Sequence, residues 1–141
     1  MRHEIAAQQQ LEQAENLAEI LDAAYGAFEE MLSVIRRYQD SGAPFYAALV
    51  MAAAGAADGR NALADAPSLP PAPGQGSREG APAAAVSPLD TAVCLAELSK
   101  TVSSRLRQAG ATANGAADQQ ACEDAARCAD EVHALATGHG S

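Results

Sequence analysis

Apolar side chains recur at spacings of three and four residues along the first 40 residues of the chain. They are Leu11, Ala14, Ala18, Leu21, Tyr25, Phe28, Leu32 and Ile35. This a/d pattern lasts for more than three heptads, so it predicts one long helix of the coiled-coil type over residues 2–40. Acidic side chains fall on the opposite face. Gly26 is the weak point of this helix, and we expect a close helix contact or a kink there.

The same periodicity predicts three further helices, over residues 44–64, 88–109 and 116–136. Pro44 suits the first turn of one helix, and Ser87-Pro88-Leu89-Asp90 is a typical helix start. Their predicted core positions are Phe45, Leu49, Ala52, Ala56 and Leu63, then Ala92, Leu95, Leu98, Val102, Leu106 and Ala109, then Cys122, Ala125, Ala129, Val132 and Ala136. The helix over residues 44–64 carries a second apolar face with Tyr46, Val50, Ala53 and Ala57.

Proline and glycine concentrate between the second and third predicted helices. Residues 67–88 hold six of the seven prolines, so we predict a flexible linker over residues 67–87 that folding does not require. About a quarter of the chain is Ala and only 4% is aromatic, a composition that favours closely packed helices over strands. The predicted fold is therefore an all-α four-helix bundle made of two helical hairpins, residues 1–66 and 88–141, which pack as one domain.

The charge balance argues against two classes of partner. The formal net charge is −9, from 18 acidic and nine basic side chains. Such a surface repels phosphate, so we expect neither nucleic-acid binding nor docking on an anionic membrane. The chain shows no secretory signal pattern and no apolar run of about 20 residues. With three cysteines read as free thiols, we predict a cytoplasmic protein, and the preference for Arg over Lys suggests a bacterial source.

The residues that most often carry chemistry do not form a recognisable constellation. Cys122 and Cys128 are six residues apart, and Cys128 and His133 are five apart, so neither pair places two ligands on one helix face. The Glu-x-x-His motif of di-iron bundles does not occur in the sequence. We therefore predict no catalytic residues, no metal site and no cofactor, and we interpret Cys94, Cys122 and Cys128 as small core residues.

The length of the first predicted helix suggests how the protein works. At about 57 Å it is far longer than its partners, which span about 30–35 Å, so they cannot cover its whole apolar stripe. Either the helix breaks near Gly26, or its free half packs on a second copy. We expect a non-enzymatic protein–protein interaction protein, a homodimer with a regulatory or accessory role. Tyr and Arg are favoured at contact hot spots. The predicted interaction surface comprises Leu11, Leu17, Leu21, Tyr25, Phe28, Arg36, Arg37, Tyr38 and Tyr46.

Two alternatives remain open at this point. The protein could be a small-molecule-binding protein or an enzyme, with a pocket between the helices lined by Tyr25, Phe28 and Cys94. It could also be a chaperone or accessory factor for another protein. An enclosed, polar-lined cavity would favour the first alternative over a protein-binding role.

Overall fold

Five α-helices form the regular structure of the described chain. The computed structural model describes residues 2–40, 47–71, 73 and 88–138, and these ranges contain no strand. The helices are α1 (Arg2–Gln13), α2 (Leu17–Asp40), α3 (Ala47–Ala64), α4 (Pro88–Thr112) and α5 (Ala116–Gly138). The all-α prediction is confirmed for these residues. The predicted count of four helices in two hairpins is wrong, because the first predicted helix is two helices.

The break between α1 and α2 is held by side chains that bond to the backbone. The Asn16 side-chain oxygen accepts a hydrogen bond from the Glu19 backbone N–H at 2.9 Å. The Glu19 carboxylate accepts one from the Glu15 backbone N–H, also at 2.9 Å. Asn16 is thus the N-cap of α2, and Glu19 stands three residues after it, as in a capping box. Gly26 lies buried inside α2, where the helix continues without a break.

Helices α2, α3, α5 and α4 contact one another in that cyclic order, and α1 packs on α2 and α4. Ser103 bonds Asp130, whereas Ala96, nearer the start of α4, contacts His133. These pairs show that α4 and α5 are antiparallel. The predicted core positions of both helices, from Ala92 to Ala109 and from Cys122 to Ala136, are buried as expected.

Small residues allow α3 to approach both of its neighbours closely. A Cβ atom added to Gly59 would lie 2.4 Å from Cζ of Phe28 on α2. A Cβ atom added to Gly55 would lie 3.2 Å from Cγ2 of Val132 on α5. These two glycines lower the intrinsic helix propensity of α3, but they let its axis come close to α2 and α5 in a core rich in Ala.

The chain that leaves α3 packs against the start of α5. Ser68 donates from its backbone N–H and its hydroxyl to the Asp118 carboxylate, at 3.1 and 2.6 Å. Asp118 is buried, and Leu69 packs on the apolar core. The expectation of a dispensable linker therefore does not extend to Ser68 and Leu69. Residues 72 and 74–87 of the predicted linker lie outside the described part of the chain.

Candidate functional site

Most of the predicted interaction surface lies inside the folded chain. Leu11, Leu21, Phe28 and Tyr38 are buried, and Leu17 and Tyr25 are partly buried against the core. The break at residues 14–16 explains the burial of Leu11, because α1 folds against α2 and α4 instead of extending beyond them. The premise of an uncovered apolar stripe on the first helix is therefore incorrect.

The polar members of the predicted surface have different surroundings. Arg37 is largely buried, and its guanidinium group donates to Ser33 Oγ at 3.1 Å and to the Glu30 carboxylate at 3.3 Å. This arrangement compensates the buried charge of Glu30. Arg36 is exposed. Tyr46 lies outside the described residues.

Large exposed apolar side chains instead occur on α3. Met51 is 56% exposed and Val50 is 37% exposed. Ala47 and Ala54 are also exposed, so the four residues follow the i, i+3, i+4, i+7 spacing of one helix face. We call Ala47, Val50, Met51 and Ala54 the α3 outer stripe. Val93 on α4, at 46% exposure, is the remaining large apolar side chain exposed in the described chain.

A surface groove of about 460 Å³ between α2 and α3 adjoins this stripe. Its apolar lining includes Leu32, Ala53 and Ala57, and its charged lining includes Arg36 and Arg60. The groove is open to solvent. Phe28 and Cys94, which were expected to line a pocket, are buried in the core. Two of the three residues that were expected to line a small-molecule pocket are therefore core residues.

A polar cluster joins α4 to α5. Ser103 donates its hydroxyl hydrogen to Asp130 at 2.6 Å, and Arg107 contacts both residues, with 2.7 Å between its Nη2 and the Asp130 carboxylate. The hydrogen bond from Arg107 is the main reason that the pKa of Asp130 is lowered. Both hydrogen-bonding oxygens of Asp130 are thus engaged in fixing the hairpin. The carboxylate that accepts the Ser103 hydroxyl hydrogen is made a weaker base by its lowered pKa, so this geometry does not activate Ser103 as a nucleophile.

The three cysteines behave as core residues rather than as reactive thiols. Cys94 and Cys122 are buried, and Cys128 is partly buried. Burial raises the pKa of Cys122 to about 11, with a further contribution from the Asp118 carboxylate. Burial also raises the pKa of Cys128. Since the thiolate is the nucleophile and the metal ligand, both shifts disfavour such roles. The described residues contain no group of three or more His, Cys, Asp or Glu side chains that could hold a metal ion.

The remaining observations concern the membrane and relatives of the chain. None of the described helices is both long and apolar enough to cross a membrane. Comparison of the chain with family models, with curated proteins and with solved structures finds no match.

Proposed function

We propose that this protein is a non-enzymatic interaction module that pairs with a second copy of itself through the α3 outer stripe. The observation that carries the proposal is the exposure of Val50 and Met51 side by side on one helix face. Contiguous exposed apolar groups often mark contact sites in soluble proteins, whereas singly scattered ones are normal. The predicted homodimer is thus kept as a proposal, but its contact surface moves from the first helix to α3.

The stripe is self-complementary in size. A two-fold axis level with Ala52 would place Val50 opposite Ala54 of the second copy, and Ala47 opposite Ala57 of the second copy. The larger Val50 of one α3 then meets the small Ala54 of the other, which is how closely packed helix pairs interdigitate. Met51 has a flexible side chain that can fill the remaining gap along the contact. A single surface patch that matches itself is what a two-fold dimer requires.

The distribution of charge also favours a second copy at this position. Each copy carries a formal charge of −9, so two copies repel each other over most of their surfaces. Residues 47–57 contain no charged side chain. The first charges beyond them, Asp58 and Arg60, are of opposite sign. Two copies can therefore meet along this segment without placing like charges in contact.

Sedimentation velocity of matched variants tests the proposal. The contact is short, so we expect weak association, with dissociation constants of about 10 µM to 1 mM. Met51→Glu places a charge in the contact and should remain monomeric where the unmodified protein dimerises. Val93→Glu is the matched control, because it introduces the same charge at an exposed Val on α4 and should dimerise normally.

Circular dichroism must show equal helicity for the three proteins. An unmodified protein that stays monomeric up to about 1 mM would show the proposal to be wrong. Equal loss of dimer in both variants would likewise reject α3 as the contact surface.

A further inference from the structure

The described side chains of helix α1 contact α2 and α4 through a small apolar cluster and several hydrogen bonds. Among its described side chains, Ala7 and Leu11 are fully buried. Its polar contacts reach α4, where Gln8 donates to Thr101 Oγ1 at 2.6 Å and Arg105 Nε donates to the Leu11 carbonyl oxygen at 2.9 Å. Arg105 also donates to the carbonyl oxygen of Ala14. Arg105 thus donates to carbonyl oxygens at the C-terminal end of α1, where backbone carbonyls lack N–H donors from a following helical turn.

The sequence at the break is that of a continuous helix. Leu11, Ala14, Ala18 and Leu21 keep the spacing of three and four residues across residues 14–16. Residues 2–25 contain no Gly or Pro. Local propensity therefore favours an unbroken helix, and the break depends on the Asn16–Glu19 capping bonds and on the contact with Arg105.

From these observations we infer that α1 can be exchanged between two copies of this chain. In the exchanged dimer, residues 2–40 form one continuous helix, and α1 of each copy occupies the groove between α2 and α4 of the other. The groove is filled by the same segment in both states, so burial of Leu11 and the Gln8–Thr101 hydrogen bond are kept. Such exchange of an identical element is a low-cost route to a dimer.

The two states differ mainly at residues 14–19. Straightening the hinge loses the capping bonds to Glu15 and Glu19 and the Arg105 contact to Ala14. It restores helical backbone hydrogen bonds, such as that from the Ala18 N–H to the Ala14 carbonyl oxygen. The balance is therefore small, and protein concentration decides which state is populated. This exchange goes beyond the proposed contact of α3 and does not require it.

A pair of engineered cysteines reports exchange directly. Gln8→Cys and Thr101→Cys replace two side chains that touch across the α1/α4 contact, so a short bifunctional thiol reagent such as dibromobimane should link them. The link lies within one chain in the closed monomer and between two chains in the exchanged dimer. Non-reducing electrophoresis separates these products. All variants carry Met51→Glu, so that failure of the proposed α3 contact leaves the result unaffected.

Two hinge variants shift the balance in opposite directions. Asn16→Ala with Glu19→Ala removes the cap, and losing one cap changes the equilibrium about fivefold per copy, so the dimer association constant should rise about 25-fold. Leu17→Pro places proline at the first position of α2, where it is tolerated, and disfavours helical backbone at Asn16. This variant should give only the intrachain link. If the cap-deleted protein, refolded at about 1 mM, also forms only the intrachain link or none, the inference is wrong.

Discussion

Replacing Gly59 by Ala should destabilise the protein, although the same change normally strengthens a helix. Alanine is favoured over glycine inside a helix by about 1 kcal/mol. At Gly59, however, the new Cβ atom would lie 2.4, 2.5 and 3.0 Å from three carbons of the Phe28 ring. Non-bonded carbons normally stay about 3.5–4.0 Å apart, so the ring or the helix must move by about 1 Å.

The surroundings of Phe28 decide how costly this movement is. The ring is fully buried among the α2 and α3 core residues, so it cannot turn into solvent. Overpacking of this kind costs about 1–3 kcal/mol, and an overlap with three ring atoms belongs at the upper end of that range. Subtracting the gain of about 1 kcal/mol in helix propensity, we expect the free energy of unfolding to fall by about 2 kcal/mol. For a chain of this length that lowers Tm by about 5–10 °C.

Thermal unfolding followed by circular dichroism at 222 nm measures the effect, and a graded series provides the controls. Gly138→Ala should change Tm little, because no atom beyond its chain neighbours and its own helix backbone lies within 4 Å of the added Cβ. The Tm decrease for Gly55→Ala should lie between those for Gly138→Ala and Gly59→Ala, since the atom nearest its added Cβ would be 3.2 Å away. In a Phe28→Leu background the cost of Gly59→Ala should shrink by about 1–2 kcal/mol, because the ring is gone. A Gly59→Ala protein that melts at or above the unmodified one would refute the described α2/α3 packing.

Two further predictions concern buried polar groups. Cys122 should react with iodoacetamide at pH 8 about a hundredfold more slowly than a free cysteine, because its raised pKa leaves little thiolate. Its burial also favours the neutral thiol, so its contribution to stability is present below about pH 9 and is lost as pH rises towards 11. Equal alkylation rates in the native and urea-unfolded protein would contradict both statements. Ser68→Ala should cost about 1–2 kcal/mol in urea unfolding, since the buried Asp118 carboxylate loses a hydrogen bond, whereas exposed Ser104→Ala should cost almost nothing. Equal midpoints for these two variants would mean that the chain after α3 does not pack on α5.

Periodicity was sufficient to predict the helices that have one clearly apolar face. The bounds 88–109 and 116–136 lie within three residues of α4 and α5, whose cores contain the expected Leu, Val and Ala side chains. In these helices the large apolar residues fall mainly on one face, although a few small polar residues such as Ser99 and Ser103 are buried with them. The pattern therefore indicates both the helix and the face that it buries.

The break at Asn16 could not be predicted from periodicity, because the apolar repeat continues through it. The local signal was present in the sequence, since Asn16 and Glu19 have the spacing of a capping box. That signal competes with a strong helical pattern on both sides. The break is favoured by tertiary contacts. When α1 folds back, it buries Leu11 and forms hydrogen bonds with Thr101 and Arg105 of α4, about 90 residues away in the sequence.

The exposed face of α3 was equally hard to assign, because a helix made largely of Ala has no distinct polar side. The sequence offered two apolar faces on this helix. The structure buries the one with Leu49, Ala52, Ala56 and Leu63 and leaves Val50 on the surface. Gly59 helps to determine which face is buried, since it has no side chain and the Phe28 ring can pack against this face.

The order of helix contacts explains why α3 is the element most suited to a partner. Helices α2 and α4 each have three neighbours in the fold, because α1 packs on both, whereas α3 and α5 have two principal neighbours each. The free face of α5 is charged, with Glu123, Arg127 and Glu131 exposed. Water solvates such a face well, and covering it would require those charges to be desolvated. The free face of α3 begins with Ala47, Val50, Met51 and Ala54. Covering these apolar side chains removes them from water and stabilises the complex. Between α3 and α5, α3 is therefore the helix whose chemistry favours association.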